Sequence, residues 1–148
     1  MQKKRIYEHC LLLVQQRIEA IDAAMRAAQG AANEETKSSA GDKYETGRAM
    51  MHLENEKLAH QRSEALKLQR TLSQIDPERP SHQVSLGSLI HTDRGLFFVA
   101  VGLGNVVIDG QSCTVISPAA PLSQAWWGSQ AGDSVAFNGQ TFHLTAIL

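Results

Sequence analysis

Cysteine is nearly missing from this 148-residue chain: Cys10 and Cys113 are the only two, and they stand far apart. That excludes a disulfide framework and the paired spacing of a zinc site, and makes a reducing cytoplasm the simplest setting. Long apolar runs are missing too. Leu11-Leu12-Leu13-Val14 is followed at once by Gln15-Gln16-Arg17, too short for a signal segment and far from the roughly 20 residues that span a bilayer. Neither secretion nor a membrane partner is expected. Charge of one sign is lacking: 14 Lys+Arg stand against 15 Asp+Glu, for a net charge of −1. An overall basic nucleic-acid binder and an acidic tail protein are thereby excluded. Internal repeats and low-complexity tracts are absent. What remains is 43% hydrophobic and 20% charged, the composition of a soluble folded chain.

The charges are unevenly placed. Residues 1–79 hold 13 of the 14 Lys+Arg and 12 of the 15 Asp+Glu. Beyond them only Asp93, Arg94, Asp109 and Asp133 are charged. Glycine splits the other way, with three before residue 80 and eight after. The break falls at Asp76-Pro77-Glu78-Arg79-Pro80-Ser81, where two prolines stop a helix and favour extended chain. The reading is a first domain over 1–76, a linker over 77–83 and a second domain over 84–148.

In the first domain, apolar residues recur at Tyr7, Leu11, Val14, Ile18, Ile21, Met25, Ala28 and Ala32. This heptad seam predicts a long helix with one buried stripe. A second series, Tyr44, Met51, Leu58, Ala65 and Leu72, predicts a partner helix that packs best toward its C-terminal end. Residues 32–41 between them carry no seam and several turn formers. An antiparallel helical hairpin follows, a coiled coil with arms of about 40 Å at 1.5 Å per residue. Its far end carries Gly41-Asp42-Lys43-Tyr44-Glu45. Asp42 and Glu45 suit a capping box that opens the second helix. The same two carboxylates, set at the end of a rod, are also suited to a metal ion.

The second domain reads as short strands broken by turns. Strands are expected over 84–90, 96–101, 106–108, 113–116, 135–137 and 141–144. Asp93-Arg94-Gly95, Asp109-Gly110 and Asn138-Gly139 are the hairpin turns. Pro121 to Gly128 fits a short helix, with Pro near its start and Gly at its end. The fold class is therefore α+β, the second part being an antiparallel β domain with one short helix. Gly102-Leu103-Gly104 lacks a third glycine and a following helix, so it is a turn and not a nucleotide loop. The six histidines show no ligand spacing; His52 and His60 are expected in solvent. Trp126 and Trp127 cannot both point inward from one short helix, so one is core and the other surface. Local sequence suggests no Ser/His/Asp or Cys/His set.

Three segments resemble the Gre family of bacterial transcript cleavage factors. Gly41-Asp42-Lys43-Tyr44-Glu45-Thr46 resembles the family's tip motif Gly-Asp-Leu-x-Glu-Asn. Pro121-Leu122-Ser123-Gln124-Ala125-Trp126-Trp127-Gly128 resembles its Ser-Pro-Leu-Ala-Arg-Ala-Leu-Leu-Gly segment. Gly132-Asp133-Ser134-Val135 resembles its Gly-Asp-x-Val ending. The resemblance implies a coiled-coil hairpin joined to an FKBP-like β domain. It also implies a partner, RNA polymerase, with contact to transcript RNA inside the complex. The β domain would dock at the rim of the secondary channel through Pro121, Leu122, Trp126 and Trp127. The tip, with Lys43 and Tyr44, would reach the catalytic centre. There Asp42 and Glu45 would share a Mg²⁺ ion with the polymerase and stimulate cleavage of backtracked RNA. On this reading the free protein is a cytoplasmic monomer that binds no cofactor and is no enzyme by itself. The sequence departs from the family at Lys43, between the two acids, and at Thr46-Gly47-Arg48-Ala49, where the family has Asn-Ala-Glu-Tyr. Two alternatives stand beside it: a channel-binding regulator without cleavage activity, and a coiled-coil adaptor for an unrelated protein.

Overall fold

The computed structural model describes residues 2–37 and 41–148, with side chains described for 2–30 and 46–148. Two long helices come first, α1 (Gln2–Lys37) and α2 (Gly41–Ser73). They are followed by β1 (Leu89–Thr92), β2 (Gly95–Val99), β3 (Gly104–Ile108), β4 (Gln111–Ile116), α3 (Pro121–Trp126), β5 (Ser134–Phe137) and β6 (Gln140–Ile147). The class is α+β, and none of the described helices is long and apolar enough to cross a membrane. The chain forms two compact units, one of Leu13–Gln69 and one of Met1–Leu12 with Arg70–Leu148.

The first of these is a coiled-coil-like helical hairpin. Val14, Ile18 and Ile21 of α1 and Leu58 and Ala65 of α2 are buried, as the heptad seams require. Asp22 Oδ1 accepts from Arg62 Nε at 2.7 Å, and Gln15 Oε1 accepts from Gln69 Nε2 at 3.3 Å. The earlier residue of α1 thus meets the later residue of α2, which makes the helices antiparallel.

The other unit is built on a six-stranded sheet in the order β3-β4-β2-β1-β6-β5. The sheet is mixed, not antiparallel as expected: β2 and β4 run parallel, Phe98 opposite Val115. The chain leaves β2, passes beyond the place of β4 and returns along the edge as β3. The Asp109-Gly110 turn then folds β4 back between β3 and β2. Hairpin signals report only neighbours in sequence, so this insertion left no local trace. The expected strand over 84–90 is also corrected; the strand begins at Leu89. Residues 85–88 form a turn, in which Ser88 N–H donates to the Ser85 carbonyl at 3.1 Å. The Ser88 hydroxyl accepts from Ser85 N–H at 3.0 Å and donates to the Gln83 carbonyl at 3.1 Å. Gly87, at φ +90°, completes the turn, and a Cβ there would lie 3.1 Å from Ile75 Cγ2.

The β2 strand is apolar and buried on both faces from Leu96 to Val99. Phe97 and Val99 join Val84, Ile90, Trp126, Phe142 and Leu144 in one core cluster. The period of two puts Leu96 and Phe98 on the opposite face, with Leu89 and Val115, the register partners of Phe98. There Leu96 and Cys113 line a cleft with Ile6 of α1. Ile6 and Cys10 are a second buried stripe of α1, beside the predicted seam. Lys3 precedes them and is itself buried. Its ammonium donates to the carbonyls of Arg79 at 2.9 Å and Leu148 at 3.0 Å. The Tyr7 hydroxyl donates to the Leu72 carbonyl at 2.7 Å.

Candidate functional site

The backbone at Gly41–Glu45 is the first turn of α2. The side chains of Asp42, Lys43, Tyr44 and Glu45, the expected tip site, lie outside the described residues.

The second expected site, around α3, is described in full. Ala120 takes an extended backbone at the N-cap and offers no side-chain cap, while Pro121 opens the helix. Proline suits that position because it has no N–H to leave unpaired. The Ser123 hydroxyl donates to the Ser117 carbonyl at 2.7 Å, and Gln124 Nε2 donates to the Pro118 carbonyl at 2.7 Å. These two bonds tie the short helix back to the loop before it. Gly128, at φ +81°, turns the chain after the helix. Its N–H donates to the Val84 carbonyl at 3.0 Å.

The paired tryptophans part company. Trp126 is wholly buried and packs edge-on against Phe97 and Phe142, at centroid distances of 5.1 and 5.6 Å. Its indole N–H has no hydrogen-bond partner. Trp126 is thus core, and of the residues expected to touch a partner it presents nothing to solvent. Trp127 is 46% exposed, Pro121 is exposed and Leu122 is half-buried. Asp133 of the third resemblance segment serves the backbone. Its Oδ2 accepts from Gln130 N–H at 2.8 Å, and its carbonyl accepts from Leu144 N–H at 2.9 Å.

The structure also brings together a set that local sequence does not suggest. Ser134 and His143 are register partners on β5 and β6, and Ser134 Oγ lies 2.7 Å from His143 Nδ1. Asp93, from the β1–β2 turn, accepts from the backbone N–H of His143 at 2.9 Å. Its other oxygen is 4.0 Å from His143 Nε2, beyond hydrogen-bond reach. Both residues are solvent-exposed. A nucleophilic triad needs a base held by its acid and donors converging on an oxyanion; this group is a cross-strand contact plus a turn anchor. The signal that could have found it is the pairing of β5 with β6 across Asn138-Gly139, which fixes 134 opposite 143.

Among the described residues no cluster of three His, Cys, Asp or Glu side chains could hold a metal ion. His52 pairs with Glu56 at 3.3 Å on the surface of α2. Burial pushes the Cys10 thiol up to about 11 and the Cys113 thiol up to about 12, so both are poor nucleophiles. The cleft beside Cys113 has a volume of about 270 Å³. The Arg5–Asp109 ion pair, at 2.7 Å, and the Gln2–Gln111 bond, at 2.6 Å, border it. Its polar groups satisfy one another and do not converge on a reacting atom. No family model and no curated protein matches this chain.

Proposed function

We propose that this protein is a Gre-like regulator of transcript elongation, which binds RNA polymerase at the secondary channel and stimulates cleavage of backtracked RNA. The observation that carries the reading is the placing of the Gly41-Asp42-x-x-Glu45 motif on the first turn of the second helix of a hairpin. The order of the remaining parts supports it: a β unit follows, with α3 on the Pro121–Gly128 segment and a terminal hairpin after Gly132-Asp133. On this reading the sheet and α3 make an FKBP-like module, and its docking surface includes Pro121, Leu122 and Trp127.

In the complex, Asp42 and Glu45 would be the residues that hold a Mg²⁺ ion shared with the polymerase. Such an ion supplies an activated water and charge neutralisation for phosphodiester hydrolysis. The chain's own part is to bring negative charge to the metal, through two carboxylates three residues apart in the sequence. The catalytic centre is the polymerase's, so the free protein has no activity of its own. Lys43, set between the acids, opposes metal recruitment at short range and favours the second reading, a channel-binding regulator that does not cleave.

The test is transcript cleavage by a backtracked elongation complex of the source organism's polymerase in Mg²⁺. The wild-type protein is compared with the Asp42→Ala/Glu45→Ala variant. Cleavage with the wild type and its loss in the variant is the expected result. No cleavage with either, together with polymerase binding, would establish the non-cleaving reading. No binding would end both and leave an adaptor.

A further inference from the structure

The mixed sheet ends in two edges, β3 and β5. The β5 edge packs against α3; no described strand lies beyond β3. The Asp109-Gly110 turn makes Ile108 and Gln111 a hydrogen-bonded pair. Alternation along an antiparallel ladder then turns the N–H and C=O of Gly104, Val106 and Ile108 toward β4. The N–H and C=O of Asn105 and Val107 point off the sheet.

Devices that normally blunt such an edge are missing here. From Gly95 to Ile108 there is no charged residue and no proline. The β3–β4 register runs from Gly104 opposite Val115 to Ile108 opposite Gln111 without a bulge. Val107 is 59% exposed.

We propose that β3 is a self-pairing edge, through which two copies of this chain join antiparallel about a two-fold axis at Val106. In that register Asn105 of one copy lies opposite Val107 of the other, and the two pairs exchange four backbone hydrogen bonds. A second copy fits because the symmetry sets no like charges against each other. The nearest charge, Asp109, falls opposite the partner's Leu103, and its carboxylate is already paired with Arg5 at 2.7 Å. The edge is five residues long, small against the roughly 1,200–2,000 Å² of a stable interface. The dimer is therefore weak and reversible, in contrast to the monomer expected from sequence.

Sedimentation equilibrium of the full chain over a rising concentration series tests this. The wild-type average mass should climb from 16.2 kDa toward twice that value. Val107→Lys should hold it at the monomer mass, by placing a charge on the edge. Val107→Pro should do the same by removing one outward N–H while sparing the inward ladder. Ala136→Lys, on the β5 edge, should behave as wild type. Circular dichroism checks that each variant is folded, and Val107→Lys, which keeps every backbone donor, decides the matter if the proline variant unfolds. A wild-type mass that stays at the monomer value overturns the proposal. So does a dimer that survives Val107→Lys, or one that is lost with Ala136→Lys alone.

Discussion

Two buried thiols give the molecule an alkaline weakness that single residues can report. Unfolded cysteines ionise near their usual value of about 8.5. In the folded chain burial pushes Cys10 up to about 11 and Cys113 to about 12, the Cys10 charge adding to the latter. The folded state therefore keeps protons that the unfolded state has lost. Their contribution is fully present below the ordinary thiol range and is lost as pH rises toward 11 and 12. Tyr7, raised by burial and by Asp76, acts in the same sense. Lys3 acts in the opposite sense, because burial lowers it more than Asp76 raises it. The cysteine share is read as a difference: between about pH 8 and about pH 10, Cys10→Ala/Cys113→Ala should lose less stability in urea than the wild type. Equal losses would show that the thiols do not drive the slope.

At the scale of elements, the hairpin depends on close approach at Ala65. It is 1% exposed, so a larger side chain there must force the helices apart. Ala65→Leu should cost about 1–3 kcal/mol in urea melts followed by helical circular dichroism, although leucine is a good helix former. What the sequence discloses follows a similar local logic. The seams of α1 and α2 were legible because burial repeats every three and four residues. Asp109-Gly110 and Asn138-Gly139 were legible because only a few residue types accept two positive φ values in succession, here +52° and +78°, then +49° and +74°. Pro121 announced α3. The parallel pairing of β2 with β4 was not legible, since it depends on a strand inserted later in the chain. The Ser85–Ser88 turn was hidden inside an apolar-looking run. Burial of Lys3 needed two carbonyls, 76 and 145 residues away, to become affordable. The α3 site was legible as a segment, but which tryptophan faces solvent is decided by the distant Phe97 and Phe142.

For the molecule as a whole, the two compact units differ in how far apart in sequence their partners stand. The helical hairpin closes around a single connection. The β unit draws its first residues and its last into the same contacts: Lys3 meets the Leu148 carbonyl, and Leu89 and Leu148 exchange backbone hydrogen bonds at 3.0 and 2.8 Å. Loop closure over such separations must precede any gain from the contacts, which slows folding. Both tryptophans belong to the β unit, so their fluorescence follows its assembly, whereas helical circular dichroism is dominated by α1 and α2. In stopped-flow refolding, most of the helical signal should return before the tryptophan signal; a single shared rate would mean that the two units fold as one. The Lys3 ammonium thus acts in time as well as in space. It fastens a unit that the chain completes only when its two most distant parts have found each other.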